Sequence, residues 1–185
     1  SSAEKRHVDL IALAGYDWVV TEEIHKNFIT VNIHPGDLRE KKEDGKPKYA
    51  GLGWVPSAKA ILDGKDEVYT SVHLVTGELD GGEILAVSAP QAIPDGARLE
   101  ERTKLLGKAK KLREVIDFVK EHPSMQTEEI SAQFPIYCHA RDCQERLKKY
   151  GDWIIFPQVI EDIALGRYAR DDQGRMCYDG NLIPH

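Results

Sequence analysis

No stretch of this 185-residue chain approaches the roughly 18 consecutive apolar residues of a membrane-spanning helix. The opening segment SSAEKRHVDL has none of the apolar core of a secretory signal. Cysteine is scarce: Cys138, Cys143 and Cys177 form an odd set without framework spacing, which argues against a disulfide scaffold and for a reducing compartment. These absences lead to the expectation of a cytoplasmic protein with no membrane partner. Basic residues are outnumbered, 25 Lys and Arg against 31 Asp and Glu, and the net charge of -6 repels phosphate. No nucleic acid partner is therefore expected. Metal ligands are too few as well. Cys138, His139 and Cys143 in CHARDC resemble part of a cluster, but structural zinc takes four ligands. Only His122 and Cys177 remain, no spacing joins them, and no metal is expected. Trp18, Trp54 and Trp153 are too scattered for a stacking platform and read as core or pocket-wall residues.

The remaining composition, 41% hydrophobic and 30% charged, is that of a globular domain, and the length suits one domain over residues 1–185. Val8 to Ala14 is a nearly continuous apolar run, the pattern of a strand buried on both faces of a parallel sheet. Thr21 offers an N-cap, with Glu22 and Glu23 in the first turn, for a short helix to about Asn27. Phe28 to Ile33 is β-branched and reads as the next strand. Strand, helix, strand in this order is the signature of an α/β sheet. Residues 36 to 53 read as an exposed polar loop, and Pro56 to Asp63 as a helix closed by Gly64. Val68 to Val75 is a strand with Val68, Thr70, Val72 and Leu74 on one face and Tyr69, Ser71, His73 and Val75 on the other. Ile84 to Ala89 is a strand placed to pair with it. Beyond residue 95 the chain reads as mainly helical. Leu105, Ala109, Leu112, Ile116 and Val119 make one apolar stripe that Pro123 ends. Thr127–Gln133, Cys143–Tyr150 and Asp152–Leu165 are further helices, the last with a late start or a kink at Pro157, and Tyr168 to the end reads as a short hairpin.

Two segments carry chemistry. In NIHP, Asn32 and His34 share one face of the strand while Ile33 turns into the core, and Pro35 fixes the exit. The carboxyl ends of strands are where open α/β sheets bind ligands. In TGELDGG, Asp80 sits among glycines that let backbone approach a ligand. A carboxylate beside His34 raises the imidazole's pKa and stabilises its charged form. Asn32 and protonated His34 would then donate to a developing oxyanion, and Asp80 would orient His34 and help move the proton shed by an attacking amine. Neither segment holds Ser or Cys, so direct acyl transfer fits better than an acyl-enzyme. Taken alone, a histidine after a strand is more often structural, and an LDGG loop more often a turn.

VNIHPGDL, followed by SVHLVTGELDGGEIL, resembles the signature of the 10-formyltetrahydrofolate-dependent formyltransferases, with greatest likeness to those acting on glycinamide ribonucleotide. The resemblance covers roughly residues 8–94 and 150–185. It implies an α/β fold with a mostly parallel, mixed sheet of the formyltransferase type, and transfer of a formyl group from 10-formyltetrahydrofolate to a small-molecule primary amine. It places the catalytic set on Asn32, His34 and Asp80. LAGYDWVVTEE matches the segment that lines the folate pocket, implying a pterin site at Asp17, Trp18, Val19 and Val20. The loop that closes over the pterin falls on Thr76, Gly77, Glu78 and Leu79. His73 matches a supporting histidine, and Asp152 lies near a family Glu that touches the amine substrate.

Three departures qualify these implications. The family's early strand and Gly-rich phosphate turn have no counterpart here. The N-terminal half of the Rossmann-like sheet is thus expected to be missing, because the chain is a fragment, because it is a natural short form with another acceptor, or because a partner or second copy supplies that half. Gly36, followed by Asp37, stands where the family has Ser, which weakens inferences about acceptor contacts. Residues 95–149 are expected to be a helical insertion that covers a bare sheet edge or mediates self-association. The runner-up reading is a folate-binding module without its own acceptor site.

Overall fold

The computed structural model describes residues 8–16 and 18–183. The chain opens with β1 (Leu10–Leu13), α1 (Glu22–Asn27) and β2 (Ile29–His34). Then follow α2 (Val55–Leu62), β3 (Glu67–Val68), β4 (Ser71–Leu74), β5 (Ile84–Val87) and β6 (Gln91–Ala92). The helical stretch comprises α3 (Asp95–Leu99), α4 (Arg102–Leu106), α5 (Leu112–Glu121), α6 (Thr127–Gln133) and α7 (Pro135–Leu147). A π-helical turn, Lys148–Asp152, leads straight into α8 (Trp153–Ala164), and β7 (Tyr168–Arg170), β8 (Met176–Tyr178) and β9 (Asn181–Leu182) close the chain.

The main sheet has the order β1-β2-β4-β5. It is mixed, as read, but parallel pairing is limited to β1 with β2; β2–β4 and β4–β5 are antiparallel. The chain returns through α2 and β3 and re-enters beside β2 from the opposite end, so the expected parallel majority is not found. Alternation sorts the residues of β2 and β4. Val31 and Val72, both fully buried, face Phe156 and Val159 of α8, while Asn32, His34, Ser71 and His73 share the other face. Burial of each such valine stabilises by roughly 1.5–3 kcal/mol.

Several expectations are revised. The apolar run at the start is an outer strand, partly exposed at Ala12, rather than one buried on both faces. Thr21 stands at the N-cap, but its hydroxyl makes no cap bond; its carbonyl accepts from Ile24 N instead. The 36–53 loop is not simply exposed: Leu38 and Tyr49 are buried, and Tyr49 belongs to the core that α2 shares with α7. The strand read at 68–75 is two, because β3 leaves the main sheet to pair with β6. The apolar stripe of 105–119 is broken at Gly107 (φ +58°), where a side chain would strike the Gln133 carbonyl. The helix read from Cys143 starts eight residues earlier, at Pro135, and the closing hairpin has a third strand. Pro157 lies inside α8, where the hydrogen bond it forgoes would go to Trp153, the helix's first residue. That helix buries Phe156, Val159 and Asp162 and leaves Trp153, Ile154 and Leu165 exposed.

The helices from α3 to α7 build their own core, with Leu105, Val115, Ile130, Ile136 and Leu147 nearly or fully buried against Trp54 and Ile61 of the α2 region. They pack on α2 and β6; among the described residues none packs along β1, which stands at the edge of the sheet. Among the described residues no helix is long and apolar enough to cross a membrane. Cys138, His139 and Cys143 all lie on α7, with Cys143 fully buried in the helical core and His139 facing Glu100 at 3.7 Å.

Candidate active site

Register brings the site together. Asn32 on β2 lies opposite His73 on β4, and Asn32 Nδ2 is 3.3 Å from His73 Nε2. His73 Nδ1 donates to the Leu74 carbonyl at 2.8 Å, so in the neutral ring Nε2 is the acceptor for the Asn32 amide. That leaves one Asn32 N–H for another partner. His34, at the end of β2, donates from Nε2 to the Tyr49 carbonyl at 2.8 Å. Only its Nδ1 edge is therefore turned to the site, where it meets Asp80 Oδ1 at 3.6 Å. The same oxygen lies 3.7 Å from His73 Nε2. Both separations exceed hydrogen-bond length. Asp80 Oδ2 accepts from the Gly51 amide at 3.2 Å. Asp80 itself has φ +53°, a left-handed conformation that a non-glycine residue adopts at an energetic cost and that recurs at functional sites.

The electrostatics differ from the sequence expectation in one respect. Asp80 does act to raise the His34 pKa, helped by the Tyr49 carbonyl and Asp152, but burial outweighs them and Lys59 adds to it, so the net shift is downward. His73 is shifted down too, first by burial and against the pull of the Leu74 carbonyl and Asp80. At neutral pH the resting imidazoles are thus neutral, and the expected protonated His34 is not the resting form.

Asn32 and Asp80 stand between two cavities. One, of about 430 Å³, is lined by Trp18, Val19, Val20, Thr76, Gly77, Glu78 and Leu79 together with Asn32, His73 and Asp80. The other, of about 100 Å³, is lined by His34, Asp80, Gly51–Gly53, Gln144, Lys148 and Asp152. Asp17 lies outside the described residues. Asp152, in the π-helical turn, accepts from the Thr70 hydroxyl at 2.6 Å, and burial raises its carboxyl pKa against that bond. Gly36 lines neither cavity. A Cβ there would sit 2.7 Å from the Tyr49 carbonyl and 2.8 Å from His34 Nε2, so the loop that holds His34 leaves no room for the family's serine. Asp37 is bound by both ends of the Arg39 guanidinium, at 2.9 and 2.8 Å.

The site thus gathers Asn32, His34, His73, Asp80, Asp152 and the segments 18–20 and 76–79. Sequence reasoning missed the backbone of Tyr49 and Gly51 and the side chains of Gln144 and Lys148. The one available signal was an aromatic followed by two closely spaced glycines, YAGLG, inside a loop otherwise polar.

The α/β sheet thus ends in an amide, two imidazoles and a carboxylate set between two cavities. The formyl transferase family's sequence pattern matches residues 1–116, more than half of the chain, and the chain belongs to that family. It is 38% identical over 101 residues to phosphoribosylglycinamide formyltransferase of Haemophilus influenzae, covering 52% of this chain and 43% of that protein. To the Escherichia coli K12 phosphoribosylglycinamide formyltransferase it is 35% identical over 79 residues, covering 42% and 32%. The chain therefore spans less than half the length of these curated relatives. The fold matches the crystal structure of glycinamide ribonucleotide transformylase 1 from Symbiobacterium toebii with a TM-score of 0.51 at 21% identity, over 92% of this chain and 56% of that one. Phosphoribosylglycinamide formyltransferase from Anaplasma phagocytophilum matches at 0.51 and 19%, over 94% and 60%.

Proposed function

We propose that this chain carries the transfer centre of a folate-dependent N-formyltransferase, which moves a formyl group from 10-formyltetrahydrofolate to glycinamide ribonucleotide in cytoplasmic purine biosynthesis. The observation that carries the reading is the placement of Asn32, His34, His73 and Asp80 where two unequal cavities meet. The larger cavity suits a flat heteroaromatic group: it has the Trp18 ring, the apolar side chains of Val19, Val20 and Leu79, and polar groups on Thr76 and Glu78. The cosubstrate, when bound there, supplies an activated formyl carbonyl. Asn32 offers its free N–H to the oxygen as charge develops on it, held in direction by His73. His34, held by Tyr49, presents Nδ1, and Asp80 stands ready to take the proton that the attacking amine sheds as its bond to the formyl carbon forms; the bond from that carbon to the folate nitrogen then breaks, and the departing nitrogen takes up a proton in exchange. Asp152, in the smaller cavity, orients the amine before attack.

Replacing Asp80→Asn or His34→Ala is expected to lower kcat/KM by about 10²- to 10⁴-fold, with the circular dichroism spectrum unchanged. Wild-type rates in either variant would refute this centre.

A second reading, a folate-binding module whose acceptor site needs a partner or a second copy, is favoured by the place of β1 at the edge of its sheet among the described residues. Titration with a 5-deazafolate analogue beside a glycinamide ribonucleotide assay separates the two. Binding without turnover supports the module, and absence of binding sinks both.

A further inference from the structure

His34 and Asp80 are held by one short piece of backbone, and that piece is itself held by a lysine. The Tyr49 carbonyl accepts from His34 Nε2, the Gly51 amide donates to Asp80 Oδ2, and Lys59 Nζ donates to the Ala50 carbonyl between them. The last two contacts are opposite ends of a single peptide group. Its atoms lie in one plane, with C=O and N–H pointing oppositely, so gripping one end aims the other. Were the plane to turn over, a carbonyl oxygen would face the Asp80 carboxylate in place of the amide. Gly51, at φ +139°, has no side chain to resist that turn. Lys59 sits midway along α2, half-buried, with Nζ close to Gly51: a Cβ on that glycine would lie 3.8 Å from it.

We propose that Lys59 is a positioning residue of the transfer centre, whose ammonium clamps the Ala50–Gly51 peptide so that the Gly51 amide stays on Asp80 and the Tyr49 carbonyl on His34. The assignment rests on the formyl-transfer reading of this site. It gives a role to a half-buried charge that otherwise only donates a hydrogen bond to a loop carbonyl. Its influence reaches the ring as well. His34 is flanked by Asp80 and Asp152, which favour its protonation, and by Lys59, which opposes it, with His73 beside Asp80. Lys59 in turn faces Lys42, Asp63 and Asp80, and burial, the largest influence, lowers its own pKa. Loss of the ammonium removes a positive charge from the imidazole's surroundings and frees the peptide that orients its partner.

The test uses the full chain with Lys59→Met and Lys59→Arg, following the His34 ring resonances through a pH titration and measuring steady-state kinetics. In Lys59→Met the His34 pKa should rise by about half a unit, kcat should fall about tenfold or more, and the cosubstrate KM should stay within about twofold. Lys59→Arg, which keeps charge and donor, should hold the His34 titration near that of the wild type. A Lys59→Met protein with unchanged His34 titration and unchanged kcat overturns the assignment. So does one that loses only thermal stability. Should the methionine variant fail to fold, Lys59→Gln is read by the same two measurements. If the wild-type chain transfers no formyl group, the functional reading fails, while the titration still judges the clamp by itself.

Discussion

The sheet side and the helical side of this molecule are built on opposite plans. Around the sheet, the buried apolar cluster is small, Val31, Val72, Leu85, Phe156 and Val159, and the opposite face of β2 and β4 buries His34, Ser71 and His73, with the buried Asp80 of the following loop beside them. Buried polar groups must find partners or be paid for in desolvation, and here the partners are backbone groups and one another. The helical side buries a long series of apolar residues from Trp54 to Leu147 and, among its enclosed polar side chains, leaves the Tyr49 and Ser57 hydroxyls without a partner. Apolar mass and reactive groups are thus kept apart. Apolar burial is concentrated away from the candidate site, whose face is held by hydrogen bonds reaching across from the more apolar half, through Tyr49 and through the π-helical turn.

The largest expected effect that separates the two sides is in the helical core. Ile136, on α7, is fully buried. Ile136→Ala should cost about 2–5 kcal/mol in urea unfolding, since the cavity is lined by neighbours on several helices, yet kcat of the folded fraction should stay near wild type. A fall in kcat comparable with that of Asp80→Asn would break the division and show that the helical core sets the geometry of the centre directly.

A smaller effect belongs to the sheet side. His34 and His73 both have pKa values below the ordinary 6.5 in the folded state, chiefly because burial disfavours the charged ring. Between the folded and unfolded values the unfolded chain binds more protons, so stability is full above about 6.5 and declines as pH falls through that window. His73→Asn, whose amide can still donate to the Leu74 carbonyl, should flatten part of this decline. The comparison to make is urea midpoints at pH 7.5 and 5.5, for wild type and variant. Equal pH dependence in both would show that His73 is protonated as readily in the folded chain as in the unfolded one.

Much of the sheet side was legible in the sequence because local pattern and tertiary role coincide there. The strand–helix–strand opening, the pairing of the strands around 71–74 and 84–87, and the common face of Asn32 and His34 follow from alternation and β-branched content alone. The limits lay where a neighbour decides. The first strand's apolar run reads as doubly buried, but burial depends on what lies beyond its outer edge. The helical side was read less well. Thr127–Gln133 was placed to the residue, helped by the acidic first turn that also forms its capping box. The stripe through Gly107 keeps its period across a real break, because the close approach of the Gln133 backbone is invisible in local sequence. PIYCHA has weak helix formers and is helical through its packing on α2. In the site, the side chains were named and the backbone was not: a carbonyl at 49 and an amide at 51 are present in any sequence, and only the path of the loop gives them partners.

The smallest effect falls on the seam between the two sides. Thr70 is fully buried in the stretch between β3 and β4, and its hydroxyl donates to Asp152 of the π-helical turn at 2.6 Å. The turn is pressed so close that a side chain on Gly151 would lie 2.8 Å from the Thr70 hydroxyl, so the contact fixes where the turn sits. π-Helical turns inside α-helices are commonly kept for function. Thr70→Val preserves shape and removes the donor. It should cost about 1 kcal/mol in stability. It should also push the Asp152 carboxyl pKa further above its usual range, since burial already raises it and this bond is the first influence holding it down. If Asp152 orients the amine, the acceptor KM should rise while the cosubstrate KM stays fixed, because the larger cavity contains neither residue. A rise in both constants would mean that the turn supports the whole centre, and the seam would then have to be counted with the sheet side.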